Sequence, residues 1–204
     1  MVRRGIPALA TLLSASLLIA AVPRTGDQPD ASSLAGQLLI ASPQIDDPHF
    51  AHTVILLVRH DASGAMGIII NRPVAERSLA TLLEALGIRD EEVTGKVQIF
   101  AGGPVQRSIG FILHDAAYHR QGTVDIDGHV AMTSSPEVLR DIGHQKGPAK
   151  ALVAFGYAGW GPGQLESEMQ RNDWFTMPEE SKIVFDEDRE KVWEDAMARH
   201  PRDL

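Results

Sequence analysis

The chain has 204 residues and a formal net charge of -8 at pH 7, and 44% of its residues are hydrophobic. This length and apolar content suffice for one hydrophobic core without requiring a second domain. The negative charge disfavours broad binding to nucleic acid, which needs clustered lysine and arginine. Because the chain contains no cysteine, disulfides, thiolate nucleophiles and cysteine-ligated zinc are excluded.

The first 33 residues differ in composition from the rest. Arg3 and Arg4 precede an uncharged run at 5–22, and the polar segment PRTGDQPDASS follows. This order is typical of a secretory signal, although the apolar run also approaches the length of a membrane anchor. Residues 1–33 are therefore predicted to be a signal peptide or membrane anchor with a disordered tether, and residues 34–204 a single domain. The predicted location is the periplasm or the inner membrane, with the leader as the membrane contact; an overlong gene start and a cytoplasmic location are the alternative.

Short apolar runs bounded by turn residues predict the strands of the domain. In chain order they are 37–41, 53–59, 65–70, 97–101, 110–113, 129–133, 149–155, 174–177 and 183–185. The turn DASG at 61–64 predicts a hairpin between the second and third of them.

Apolar residues at helical spacing, with capping residues beside them, predict the helices. The first is 78–86, with Ser78 as N-cap and Gly87 after its end. The second begins with Ser135 as N-cap and stops at Gly143, and two more are predicted at 164–170 and 187–199. Because strands and helices mix without a strict βαβ order, we expect a mixed α+β fold with helices on the faces of a mixed sheet.

Residues 155–169, FGYAGWGPGQLESEM, look like a strand that enters a glycine-rich loop and then a helix, as in phosphate-binding loops. The lysine and hydroxyl residue of a P-loop are missing. With Gly163 as N-cap, Glu166 lies in the first turn, where it can accept from free amides as in a capping box, and Glu168 adds negative charge. The segment is therefore predicted to be a rigid strand-to-helix corner, in which the aromatic residues Tyr157 and Trp160 are the candidates for binding.

Several motifs occur in one order between about residues 36 and 193. They are GQLLIASP with DPHF downstream, HDASGAMGIIINRP, GGPVQRSIGFILH, AMTSSPEVL and FGYAGWGPGQLESEMQRNDWFTMP. On these motifs the chain resembles the YqgE/AlgH family, a bacterial family of uncharacterised function. The resemblance implies a mixed, partly bifurcated β-sheet that curls into a pseudo-barrel with flanking helices. It implies no established reaction, and the link of one member to alginate synthesis is read as an indirect regulatory effect.

The chain departs from this family in two respects. Val58 stands where members often carry a cysteine, so a thiol-based role does not apply here. The export-like leader is the second departure, because the family is usually regarded as cytosolic. The absence of this cysteine is consistent with export, since a lone thiol is easily oxidised in an oxidising compartment.

Eight residues of the family-matching motifs are predicted to form a ligand or partner surface at strand ends or in loops. They are His60, Asn71, Arg72, Gly102, Gly103, His114, Tyr157 and Trp160. Arg72 precedes a proline, so it is expected in an extended segment from which it reaches a carboxylate or phosphate, or else pairs with a local acid. The two glycines permit an anion nest, although a tight structural turn is favoured.

The loop DDPHFAH at 46–52 is a second place where chemistry-bearing side chains cluster. It contains two aspartates, Asp46 and Asp47, and two histidines, His49 and His52, which are residue types that bind divalent metals. The two histidines are not part of the family pattern, so a solvated turn is favoured over a metal site. The sequence implies no metal and no cofactor.

These observations favour a binding or regulatory module, for a small molecule or a partner protein, over an enzyme. The alternative is a hydrolase or transferase that uses His60 or His114 as a general base. The sequence contains neither a GxSxG elbow nor a Walker A or Rossmann motif. Direct DNA binding is a third hypothesis, which the net charge and the lack of a helix-turn-helix with basic recognition positions oppose.

Overall fold

The computed structural model describes residues 33–185 and 188–200, so the predicted leader, apart from Ser33, lies outside the described residues. The strands in this part of the chain are β1 (Gln37–Ala41), β2 (Val54–Asp61), β3 (Gly64–Ile69), β4 (Pro73–Ser78), β5 (Lys96–Ala101), β6 (Val105–Asp115), β7 (Val124–Asp125), β8 (Val130–Thr133), β9 (Ala151–Trp160) and β10 (Trp174–Pro178). The helices are α1 (Leu79–Ala85), α2 (Glu137–Gly143), α3 (Gln164–Gln170), α4 (Ser181–Phe185) and α5 (Val192–Arg199). None of these described helices is long and apolar enough to span a bilayer.

The strands form one sheet that curls into a half-barrel. The main path runs β10-β1-β2-β3-β9-β6-β8-β7, and β5 joins it by pairing with β9 and β4. The pairing of β5 with β9 is parallel, whereas neighbours along the main path are antiparallel. The sheet is therefore mixed, as the sequence predicted.

Strand β9 is where the sheet divides. One edge of β9 pairs with β6. On the other edge, Val153 to Phe155 pair with β5, and Ala158 to Trp160 pair with β3. β3 and β5 thus separate around Gly156, which confirms the predicted bifurcation of the sheet and leaves a fork between the two strands.

The buried side chains of β1 to β3 lie on both faces of the sheet. Along β1, Leu38 and Ile40 enter one hydrophobic cluster, while Leu39 enters another on the opposite face. This alternation follows from the two-residue period of a strand, and it explains why these strands are apolar almost throughout. A third cluster lies under α1 and α2, where Leu83 and Val138 pack with residues of β5, β6 and β9.

Several predicted boundaries are confirmed. β1 and α3 have the predicted bounds, and the turn at 61–64 joins β2 and β3 as a hairpin. Ser78 is the N-cap of α1, where its side chain accepts a hydrogen bond from Thr81 N. α2 begins one residue later than expected, with Pro136 as N-cap, and includes Gly143.

Other predictions are wrong. Residues 183–185 form part of helix α4 instead of a strand, because Ile183 N and Val184 N both donate to Glu180 O and both side chains remain buried. β9 continues through the glycines to Trp160, so the loop before α3 is shorter than expected. β4 was not predicted, since it is a polar strand with no buried residue.

A polar network ties α2 to the loop after β6. Asp141, which is 8% exposed, accepts hydrogen bonds from Tyr118 Oη and from Arg120 Nε, the latter at 2.7 Å. Burial tends to raise the pKa of Asp141, but the hydrogen bonds from Arg120 and Tyr118 outweigh it and hold that pKa below its ordinary value. Ionised Asp141 therefore stabilises the fold above about pH 4, and this contribution is lost as the pH falls through the depressed folded pKa.

Asp141→Asn is expected to lower the free energy of unfolding at pH 7 by about 2 kcal/mol, because charged hydrogen bonds are lost while half-exposed Arg120 remains hydrated. Urea unfolding at pH 7 and pH 3 measures the effect, and the difference from wild type should shrink at pH 3. Asp46→Asn, at an exposed position, should leave stability unchanged. A difference of the same size at both pH values would contradict the role given to ionised Asp141.

Candidate functional site

The fork between β3 and β5 is filled by Gly102, Gly103 and Pro104. Gly102 N donates to Phe155 O at 2.8 Å, and Gly102 O accepts from Ile69 N at 2.9 Å. A Cβ at Gly102 would lie 2.4 Å from Gly156 O. Gly102, which directly follows β5, is thus hydrogen-bonded to both β9 and β3 through its backbone, which supports the tight structural turn over an open anion nest.

A cavity of about 270 Å³ opens beside this turn. Most of its lining is apolar, and its polar lining residues are an imidazole and two guanidinium groups. The lining residues are His49, Ile69, Arg72, Val74, Ile99, Phe100, Ala101, Gly103, Pro104, Arg107 and Phe155. Because none of these described residues is acidic, the cavity combines apolar walls with positive charge, which suits an organic anion.

Arg72 is held in place at the cavity. Its Nη2 donates to Ala51 O at 3.0 Å. Burial lowers the pKa of the Arg72 guanidinium, and the nearby charge of Asp47 partly opposes this. Arg72 nevertheless stays protonated at neutral pH, because arginine has an ordinary pKa above 12. Arg72 lies directly before β4, and one of its donors is used by the protein itself.

Arg107 lines the cavity although it is not among the residues predicted from the sequence. The register between β6 and β9 shifts between Val105 and Gly110, and Gln106 has a φ of 47°. Such a bulge redirects side chains, and here it carries the exposed Arg107 to the cavity. Within the described part of the chain, Arg107 makes no ion pair. Its place in the motif GGPVQRSIG was the available signal, but only the bulge shows where it lies.

His60 is part of the scaffold in this structure. Its Nδ1 accepts from Leu34 N at 3.0 Å, so Nε2 carries the proton and donates to Glu166 Oε1 at 2.8 Å. The pKa of Glu166 is held below its ordinary value first by the glutamate's own backbone N–H and then by His60. Both ring nitrogens are therefore occupied, and the side chain is 9% exposed. His60 joins the end of β2 to the first turn of α3.

His114 lies near the end of β6, as predicted, but it is fully buried and so does not belong to an exposed binding surface. Its Nδ1 donates to Asp115 O at 2.9 Å, and its ring lies edge-on to Tyr118 at 5.3 Å. Nε2 is buried without a hydrogen-bond partner among the described residues. An imidazole at 0% exposure has no access to a substrate, so this geometry gives little support to a general base here.

Asn71 holds the start of β2. Its Oδ1 accepts from Val54 N and its Nδ2 donates to His52 O, each at 2.9 Å. Asn71 therefore caps the start of this strand instead of presenting its amide to a ligand.

The loop at 46–52 does not bring its two histidines together. His49 Nδ1 lies 2.9 Å from Asp47 Oδ1 on the surface. A backbone hydrogen bond from His49 is the main cause that lowers the pKa of Asp47. The His52 ring instead packs edge-on against Trp193, at 4.4 Å between centroids. The arrangement supports a hydrogen-bonded turn over a metal site.

Tyr157 lies within β9 instead of in a loop, which corrects its predicted position, whereas Trp160 is the last residue of that strand. Tyr157 packs edge-on against Phe111 at 6.1 Å. Trp160 is 6% exposed, and its Nε1 donates to Glu168 Oε2 at 2.8 Å. Trp174 Nε1 donates to the same oxygen at the same distance. Both indoles are therefore anchored to α3 by one carboxylate.

The corner before α3 matches its prediction in most respects. Gly163 is the N-cap with a φ of 70°, and Glu166 lies in the first turn. The Glu166 carboxylate accepts from its own amide and from His60, which differs from the expected capping box. Trp160 and Trp174 line a second cavity of about 270 Å³, separate from the one that Arg72 and Gly103 line. The eight predicted residues therefore do not form a single surface.

The fold is that of a mixed α+β protein with a bifurcated half-barrel, and in this chain a small cavity with two arginines lies at the fork. A family model described as AlgH-like (DUF179) matches residues 38–204. A UPF0301 protein of Cereibacter sphaeroides is 42% identical over 168 residues, which cover 82% of this chain and 91% of that protein. A UPF0301 protein of Pseudomonas fluorescens is 45% identical over 171 residues, which cover 83% and 89%.

Solved structures agree with this assignment. The solution structure of the AlgH protein from Pseudomonas aeruginosa is similar with a TM-score of 0.71 and 40% identity, and covers 84% of this chain and 91% of that one. A crystal structure of a Corynebacterium diphtheriae protein has the same fold, with a TM-score of 0.64 at 22% identity over 83% of this chain and 88% of that one. The chain belongs to the AlgH-like family, UPF0301, which confirms the resemblance seen in its motifs.

Proposed function

We propose that this protein binds a small organic anion, a carboxylate or phosphate on an apolar body, in the cavity at the fork of the sheet. The role is one of binding or regulation. The observation that carries the proposal is the meeting of Arg72 and Arg107 at an apolar cavity that no described acidic residue lines. A volume of about 270 Å³ lies just below the usual range for ligand pockets, roughly 300–1,000 Å³, which favours a ligand smaller than a nucleotide.

The two arginines have different roles in this proposal. Arg72 is fixed by its bond to Ala51 O and presents its remaining donors from a preformed position. Arg107 is exposed on the bulge of β6 and is the more available partner for a ligand charge. A planar guanidinium binds a carboxylate or phosphate through two parallel hydrogen bonds, which gives orientation as well as affinity. The apolar walls, including Phe100 and Phe155, would hold the rest of the ligand.

The hydrolase or transferase alternative has less support. It requires His60 or His114 as a general base, whereas the first has both ring nitrogens engaged and the second is fully buried. Direct DNA binding is opposed by the net charge of -8.

The binding proposal is tested by isothermal titration calorimetry of the protein with phenyl phosphate and, separately, with hexanoate. Arg107→Ala is expected to weaken binding by at least about tenfold, because a charged hydrogen bond contributes roughly 1.5–3 kcal/mol. Its melting temperature should stay that of wild type, since the Arg107 side chain is exposed.

Arg77→Ala is the matched control, because Arg77 is an exposed arginine on β4 that does not line the cavity. It should bind both probes as wild type does. Failure of both probes to bind wild type, or equal affinities in the Arg107 and Arg77 variants, would overturn the proposal.

We also propose that residues 1–33 export the protein to the periplasm or tether it to the inner membrane. The support is the order of charged, apolar and polar segments in the sequence. Cell fractionation with N-terminal sequencing of the mature protein tests this, and a cytosolic protein with an intact N-terminus would overturn it.

A further inference from the structure

The two ends of the main strand path come together where the half-barrel curls. β10 lies at one end of that path and β7 at the other. The turn between β7 and β8 reaches the start of β1, since a Cβ on Gly36 would lie 2.9 Å from the Cβ of Asp127. Glu179, just after β10, donates from its backbone N to Gly36 O at 3.2 Å. Side chains from opposite ends of the sheet therefore meet at this seam.

Three side chains at the seam offer ligand atoms to a common point. Asp127, His129 and Glu179 each contribute one such atom, and these atoms lie within 4.8 Å of one another. Ligands around one transition-metal ion, at about 2.0–2.2 Å from it, are up to roughly 4.4 Å apart. Small side-chain rotations therefore suffice to bring the three onto one ion.

The aspartate of this group is already oriented. Asp127 Oδ1 accepts from His129 N at 2.9 Å and from Val130 N at 2.8 Å. These bonds use one oxygen of the carboxylate and hold it in the turn beside the exposed His129 ring. Such supporting hydrogen bonds are a common feature of metal ligands, because they fix the ligand's direction before the ion binds.

Glu179 brings an unsatisfied acceptor to this group. Its Oε1 is buried and has no hydrogen-bond partner among the described residues. A cation between two neighbouring carboxylates, one of them with a buried unpaired oxygen, would stabilise both of them in the ionised form.

We propose that Asp127, His129 and Glu179 bind one divalent first-row transition-metal ion, of which Zn²⁺ and Mn²⁺ are the test cases, and that this ion ties the two ends of the half-barrel together. One imidazole and two carboxylates are a donor set suited to such ions. Three protein ligands leave a coordination position for water. This site is distinct from the cavity at the fork, and neither proposal depends on the other.

The experiment is calorimetry and thermal unfolding of the EDTA-treated full-length protein with ZnCl₂ and with MnCl₂. Wild type should bind one ion per chain, and its melting temperature should rise by roughly 5–10 °C at a hundredfold excess over Kd. His129→Gln and Glu179→Gln should each weaken binding by at least about tenfold, because even the loss of a group that only orients a ligand typically has that effect.

Two further measurements separate loss of ligation from loss of folding. Glu179→Gln removes a charge that faces Asp127, so the metal-free variant should melt at or above the temperature of metal-free wild type. His49→Ala removes a surface imidazole that pairs with another aspartate, Asp47, and should bind metal as wild type does. Absence of a one-to-one site in wild type, or equal metal binding in wild type and Glu179→Gln, would overturn the proposal.

Discussion

Replacing Gly103 by alanine is expected to lower the free energy of unfolding by about 3–5 kcal/mol, because the backbone of β9 leaves no space for a methyl group. A Cβ there would lie 2.1 Å from the carbonyl carbon of Tyr157 and 2.2 Å from its oxygen. The opposing strand has little freedom to yield, since a Cβ at Gly156 would in turn lie 2.5 Å from Gly103 O. The substitution therefore pushes the turn at Gly103 away from β9, where the two backbones are in contact at the fork.

Urea and thermal unfolding measure this effect, and a fall in melting temperature of roughly 10 °C or more is expected. Gly122→Ala is the matched control. Gly122 has a φ of 84°, but a Cβ there would meet nothing within 4 Å, so its cost is confined to about 1–2 kcal/mol of backbone strain. Equal losses in the two variants would show that backbone conformation, and not the close contact of Gly103 with β9, determines the requirement for glycine.

Glu168→Ala is expected to lower the free energy of unfolding by about 2–5 kcal/mol. One oxygen of Glu168 accepts from the indoles of Trp160 and Trp174, which are 6% and 4% exposed. Removing the carboxylate leaves two buried N–H donors without their acceptor, at a cost of roughly 1–3 kcal/mol each. Urea unfolding, followed by the fluorescence of the tryptophans, measures the loss.

Two other variants make this prediction specific. Glu168→Gln keeps an acceptor oxygen and is expected to lose only about 1 kcal/mol. Glu84→Ala removes an exposed glutamate from α1, a helix of the same length as α3, and should be close to neutral. A similar loss in the Glu84 and Glu168 variants would mean that removal of any glutamate from a short helix, and not the loss of the acceptor for the two indoles, accounts for the effect.

The elements that the sequence predicted best are those whose signals are local. β1, α3 and the hairpin turn at 61–64 follow from short apolar runs, capping residues and turn residues. β4 was missed because its hydrogen bonds come from its neighbour β5, while its side chains remain largely exposed. Residues 183–185 are helical and not a strand. The prediction failed because a short buried run of apolar, β-branched residues does not distinguish the two structures.

The candidate site could be predicted only in part. Arg72, Gly102 and Gly103 stand out in the sequence through their motifs, and the structure places them at the fork. The position of Arg107 at the cavity depends on the bulge in β6, which no local sequence pattern predicts. Of the seam residues, Asp127 and His129 lie on one turn, whereas Glu179 is distant from them in sequence and meets them only because the sheet curls.

The sequence by itself determined the family, the mixed fold and the rigid corner before α3, because these depend on ordered motifs and on local capping and periodicity. Only the tertiary structure decided which polar residues belong to the scaffold and which face a cavity. His60 illustrates the reason, since its role depends on Glu166, 106 positions away in the chain. Partners at such distances, and the burial that accompanies them, arise from the packing of the whole sheet and leave no pattern in a short stretch of sequence.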